Sequence, residues 1–259
     1  MKNQMSLRKY FSFQMNYLKN EILVFYLVLF LLYSTSTVVA AITIQRTGSR
    51  VIIFSGIEAI TLFFMGIVAM SSYIYHLLLG LQNGISRRTI FTSCLMTTAA
   101  TALIMCTCDR IMGALFTAIS KKANVQGFST IYDMIYGGRT GMNAIATWFH
   151  SFLFTVLMYA LVAVIGYFIV ALYYRMSRAA IIAVSISVPA TLFILLPALN
   201  HLLNNAIFRP LLKLLFFAFG ADASGNVTSL VNPIVTLLLL IAVFVLAFWL
   251  SIRKVAVRK

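Results

Sequence analysis

Residues 233–252 read PIVTLLLLIAVFVLAFWLSI, an unbroken apolar run without a single charge. A helix rises about 1.5 Å per residue, so about 20 such residues cross the hydrocarbon of a bilayer. Inside lipid every backbone N–H and C=O has to be satisfied within the segment, which selects a helix. Five further stretches of the same kind precede it: Ile22 to Ile44, Val51 to Leu79, Phe91 to Ile119, Trp148 to Tyr174 and Ala179 to Leu199. The expected fold class is therefore all-α and polytopic, with six transmembrane helices in a single membrane domain covering residues 1–259 and no soluble module at either end.

Composition agrees with this. The chain is 62% hydrophobic and only 10% charged, against about 25% charged residues in average soluble domains. The net charge is +15, from 20 Lys and Arg against 5 Asp and Glu. In a soluble protein that excess would point to nucleic acid. Beside six apolar runs it is explained by basic residues at span ends, which set topology and touch anionic lipid headgroups. Membrane lipid is the expected partner of these residues, and nucleic acid is not.

The basic residues also orient the chain. Lys2, Arg8, Lys9, Lys19, Arg87, Arg88, Arg175, Arg178, Arg253, Lys254, Arg258 and Lys259 fall on the side of the N-terminus. Arg46, Arg50, Arg110, Lys121, Lys122, Arg139, Arg209 and Lys213 fall on the other. The heavier set belongs in the cytoplasm, so both termini are expected there. The run after Lys19 is too long for a signal-peptide core and no small-residue cleavage site follows, so it reads as an uncleaved first span. Asn226-Val227-Thr228 matches a glycosylation sequon, a pattern too short to carry weight.

Outside the spans, the head (1–20) places Leu7, Phe11, Met15 and Leu18 on one helical stripe, with Arg8, Lys9, Ser12, Asn16 and Lys19 elsewhere. An amphipathic helix lying on the inner membrane surface is expected, either as an anchor or as a docking element. Two outer segments are long, 120–147 and 200–232. The first carries Phe128, Tyr132, Tyr136 and the pair Gly137-Gly138. The second holds an apolar run from Ala206 to Phe219 broken by Pro210, too short to span and expected to dip into or lie on the outer leaflet. Pro189 and Pro197 should kink the span before it.

Catalytic and nucleotide motifs are missing. The acids are Glu21, Glu58, Asp109, Asp133 and Asp222, and the histidines His76, His150 and His201 fall in three separate regions. No His-Glu-x-x-His occurs. Cys94, Cys106 and Cys108 lie in one span without the spacing of a zinc site and read as small apolar residues. Gly220 and Gly225 have the glycine spacing of a phosphate-binding loop. Asn226 and Val227 stand where Lys and Ser/Thr are needed, so no ATP site is expected. The chain reads as a non-enzyme with no cofactor of its own.

Two features remain. One is the segment Leu81-Gln82-Asn83-Gly84-Ile85-Ser86-Arg87-Arg88 between the second and third spans, within a cytoplasmic loop at 80–90. Gly84 allows a bend, Ser86 can cap the next helix, and the two arginines can meet an acidic partner surface. The other is intramembrane charge. Glu58 in the second span and Arg110 in the third fall at a similar depth, roughly 8–10 Å to the outside of the midplane at about 1.5 Å per residue. They can pair across the hairpin; alternatively Arg110 snorkels to the headgroups and Glu58 faces water. Asp109 points elsewhere on the helix and is the poorer partner for Arg110.

The order of amphipathic head, two spans, Gly-x-Ser-Arg loop, three spans, broken outer hairpin and last span with a basic tail resembles the ABC-2 type permease family. Asn83-Gly84-Ile85-Ser86-Arg87-Arg88 is similar to the loop of small Gram-positive members. The resemblance implies the membrane subunit of a bacterial ABC exporter in the cytoplasmic membrane, moving a hydrophobic or amphipathic lipid, peptide, toxin or drug by alternating access. It implies that Leu81, Asn83, Gly84, Ile85, Ser86, Arg87 and Arg88 form the coupling helix on the ATPase. The head becomes an interface helix, and 206–219 becomes the re-entrant outer helices. The implied partners are an ATP-binding subunit, which carries ATP and magnesium, and a second permease chain, identical or not. Competing readings are a six-span substrate-binding subunit of a vitamin-type importer and a stand-alone channel or immunity protein.

Overall fold

A computed structural model describes residues 7–47, 56–122, 129–137, 141–222 and 227–253. Lys2, Arg50, Phe128, Gly138, Arg139, Gly225, Asn226, Lys254, Arg258 and Lys259 lie outside the described residues, as do the side chains of Lys121 and Lys122. Nine α-helices follow one another among the described residues: α1 (Leu7–Thr47), α2 (Ile57–Gln82), α3 (Arg87–Lys122), α4 (Ile131–Tyr136), α5 (Ala144–Arg175), α6 (Arg178–Ala190), α7 (Leu196–Leu202), α8 (Phe208–Ala218) and α9 (Val231–Ile252). A π-helical segment, Thr191–Leu195, joins α6 to α7. Six helical stretches are long and apolar enough to cross a membrane: α1, α2, α3, α5, the continuous α6–α7 stretch, and α9. The chain is a multi-pass membrane protein.

The head departs from expectation. It forms no helix of its own, because α1 runs without interruption from Leu7 to Thr47. Its 41 residues span about 60 Å at about 1.5 Å each, twice a hydrocarbon thickness of about 30 Å. The stripe it buries is Tyr10, Gln14 and Leu18, so of the expected Leu7, Phe11, Met15 and Leu18 only Leu18 is buried. The reason is hydrogen bonding as much as apolarity. Tyr10 donates to the His76 carbonyl oxygen of α2 (2.7 Å), and Gln14 Oε1 accepts from Ser93 (2.5 Å) and Thr97 (2.9 Å) of α3.

The helix α5 is the hub of the bundle, packing on α2, α3 and α9, while α1 packs chiefly on α3. Small residues let α2 and α5 approach. A Cβ placed on Gly166 would lie 3.2 Å from the Gly66 carbonyl oxygen and 3.3 Å from the Ala69 Cβ, the close backbone contact that membrane helices use in place of a hydrophobic driving force. Around this seam Tyr73, Tyr159, Tyr167 and Phe248 fill the core.

The fifth span is set apart. From Arg178 to Leu199 none of its residues is buried, and Phe193 is 80% exposed. Between Pro189 and Pro197 the helix is irregular, the π-helical segment Thr191–Leu195 separating α6 from α7. Beyond α7 the chain reverses on Asn204 and Asn205, both left-handed (φ 50° and 66°), a conformation asparagine tolerates. Asn200 holds the reversal, its amide donating to Asn205 Oδ1 (2.7 Å) and its Oδ1 accepting from Phe208 N (2.8 Å). Then α8 follows; at 11 residues it is about 16 Å long and too short to cross.

Candidate functional site

Two polar regions stand at opposite ends of the bundle. At one end α2 and α3 are joined by a tight connection. Gly84 takes a left-handed φ of 71° with no atom within 4 Å of where a Cβ would stand, so the turn needs glycine for its backbone alone. The Ser86 hydroxyl accepts from Thr89 N (3.1 Å), capping α3. Ile85 is buried as an anchor, while Asn83, Gly84, Ser86, Arg87 and Arg88 are exposed and Leu81 is half-buried. Arg87 Nη1 donates to the Arg253 carbonyl oxygen (2.8 Å), tying the turn to the end of α9. A cation at a helix C-terminus is favoured by the carbonyl dipoles there. Arg88 remains displayed.

At the far end the structure brings Glu58 and Arg110 together. Arg110 Nη2 lies 3.2 Å from Glu58 Oε1, with side-chain exposures of 14% and 5%. The same nitrogen donates to Ser151 (2.8 Å) and Thr155 (3.1 Å) on α5. Glu58 Oε2 accepts from Ile131 N (2.7 Å), so the carboxylate also satisfies the start of α4. Thr130 and Asp133 complete that start as a reciprocal capping box. The Tyr136 hydroxyl donates to the Phe219 carbonyl oxygen (2.8 Å), linking α4 to the end of α8. Burial holds this hydroxyl above tyrosine's ordinary range, so it stays a neutral donor.

Asp109 turns away from Arg110, into the bundle, and is 4% exposed. Its Oδ1 accepts from Tyr26 of α1 (2.8 Å) and Thr61 of α2 (3.0 Å), and its Oδ2 accepts from Tyr159 of α5. A cavity of about 260 Å³ opens beside the cluster, between Ile57, Glu58, Asp109, Arg110, Thr130 and Asp133, with Trp148 at its side. Three of the five acids of the chain thus border one cavity.

Asp109 and its three hydroxyl partners were not singled out in the sequence as a site. A signal existed: Ser151, Thr155 and Tyr159 recur every four residues through an otherwise apolar span, which aligns them on one helical face. Glu58 and Thr61 share a face in the same way. The histidines stay apart, on α2, α5 and α7. His150 Nε2 donates to the Leu230 carbonyl oxygen (2.7 Å) and joins α5 to the start of α9. Cys94 and Cys106 are buried, and the described residues hold no cluster of three metal-ligating side chains. No protein-family model matches the chain, and neither a curated protein nor a solved structure matches it.

Proposed function

We propose that the chain is the permease subunit of an ATP-driven exporter of the ABC-2 type in a bacterial cytoplasmic membrane, with the turn at 81–88 facing the cytoplasm. The observation that carries the reading is that turn: rigidly capped by Ser86, anchored by Ile85 and Arg87, yet exposing Asn83, Gly84, Ser86 and Arg88. An element meant to transmit force must be stiff toward its own bundle and free toward its partner. Closure of an ATPase dimer would press on this turn and tilt α2 and α3. The isolated fifth span, without a buried residue from 178 to 199, supports a second permease chain, since a membrane helix gains by packing on protein. The cargo moved between the two chains is hydrophobic or amphipathic. ATP and magnesium would be held by the ATPase.

The test is reconstitution. The chain purified from its native membrane should carry a subunit with a phosphate-binding loop, and in liposomes the pair should hydrolyse ATP faster than that subunit alone. Arg87→Glu with Arg88→Glu should insert normally and lose the stimulation, because charge reversal opposes docking on an acidic groove. Full stimulation by the double variant would count against the coupling role. A chain that transports as well without any ATPase would instead support a stand-alone channel.

A further inference from the structure

Arg110 is committed to Glu58, Ser151 and Thr155, and among the described residues Asp109 has no cationic partner. An ionised carboxylate buried at this depth without a counter-charge is costly, and such groups in membrane proteins commonly mark ion or proton pathways. The hydrogen bonds around Asp109 are arranged so that a second charge state is possible. Each of its three hydroxyl partners has one proton and a second acceptor in reach. Tyr26 lies 2.8 Å from the Met105 carbonyl oxygen, Thr61 lies 3.2 Å from that of Ile57, and Tyr159 lies 3.4 Å from that of Glu58. Two complete patterns follow. In one, the carboxylate accepts all three hydroxyl protons. In the other, the carboxyl carries a proton and donates it to one hydroxyl oxygen, and that hydroxyl turns to its backbone carbonyl. No polar hydrogen is left unpaired in either, and the two differ by one proton.

We propose that Asp109 is a proton-binding site reached through the cavity at the far end, and that its occupancy is linked to the packing of α1, α2 and α5 on α3. The groups facing it are Tyr26 and Tyr33 from α1, Glu58 from α2, Cys106, Cys108 and Arg110 from its own helix, Asp133 from α4 across the cavity, and Tyr159 from α5. Glu58 and Arg110 cancel one another, and Asp133 is occupied in capping α4. The remaining groups are hydroxyls and thiols, so Asp109 is left as the charge that a single proton removes. Taking up the proton reverses one of the three contacts by which α1, α2 and α5 hold α3 in this half of the bundle, and it removes the negative charge that strengthens the other two. The proposal concerns the chain alone and stands whether or not an ATPase is its partner.

Infrared difference spectra of the purified full chain in lipid nanodiscs, recorded as pH is raised, test it. A protonated-carboxyl band should persist after the solvent-facing acids have ionised, then disappear on further titration. It should be missing in Asp109→Asn and retained in the double variant Glu58→Gln/Arg110→Gln, which removes the other buried carboxyl without leaving Arg110 uncompensated beside Asp109. Tyr159→Phe removes one donor to the ionised form and should move the midpoint of that band upward, about tenfold in proton concentration for each ~1.4 kcal/mol of lost hydrogen bonding. The Tyr159→Phe shift decides the matter if Asp109→Asn does not fold. Absence of such a band, its survival in Asp109→Asn, its loss in the Glu58→Gln/Arg110→Gln double variant, or an unmoved midpoint in Tyr159→Phe would overturn the proposal.

Discussion

Glu58 serves three helices at once: it faces Arg110 of α3, accepts from the first N–H of α4, and meets Thr155 of α5. Removing one member of a buried ion pair leaves the other charge uncompensated, which costs about 3–5 kcal/mol. Glu58→Gln and Arg110→Gln should therefore each lower the unfolding midpoint markedly, while the double variant should lose less than the two added together. Thermal unfolding in detergent reads this cycle, and strict additivity would exclude a coupled pair. Similar depth on adjacent spans made this pairing readable in the sequence as one of two options. The tie from Glu58 to Ile131 was not readable, because a backbone N–H in a loop leaves no mark on residue type. The surroundings of Asp109 were unreadable in the sequence for a related reason. Serine and threonine within spans commonly bond their own helix, as Thr98 and Thr101 do here, and a tyrosine hydroxyl can reach any neighbouring helix, so a hydroxyl alone does not disclose that it faces a carboxylate.

At the scale of elements, close approach and length decide what each helix does. The contact of α2 with α5 is already tight for a single Cβ at Gly166. Gly166→Leu should destabilise the bundle by about 1–3 kcal/mol through overpacking, read as a lower unfolding midpoint. Gly113→Leu, where a Cβ would meet nothing within 4 Å, should leave that midpoint nearly unchanged by comparison. The short α8 offers a topological test. Leu214 is 64% exposed on a helix too short to cross. A cysteine there, in a cysteine-free background, should react with a membrane-impermeant thiol reagent added outside. Reaction only from the cytoplasmic side would make the run a crossing. The head was the element least readable from apolar periodicity. Its buried stripe contains a glutamine, and that choice was made by Ser93 and Thr97 on another helix.

For the whole molecule, five spans make a bundle and the remaining one, the fifth in chain order (α6–α7), stands beside it. If the proposed second chain is an identical copy, single cysteines at Ile186 or Phe193 should give disulfide-linked dimers in membranes. Substitutions at the core positions Tyr73 or Tyr167 should not, being enclosed by their own chain. Failure of every position along 178–199 to cross-link, between identical or different permease chains, would remove this span from any such interface.

The sequence by itself determined that the chain is helical, that it crosses a membrane six times, and where the turns fall. Those properties follow from the thickness of the bilayer and from the need to satisfy every backbone group inside it, and both act on each segment separately. It also located Gly84 and Ser86, because a left-handed turn and a helix cap each require particular residue types at one position. Only the tertiary structure decided that α1 is a single rod, that Asp109 gathers hydroxyls from three helices, and that no residue of the fifth span from 178 to 199 is buried. Lipid is as apolar as the packed interior, so hydrophobicity marks a span without revealing which face meets protein. That choice rests on small residues and scattered polar groups finding one another across helices, a property of pairs that no single segment carries.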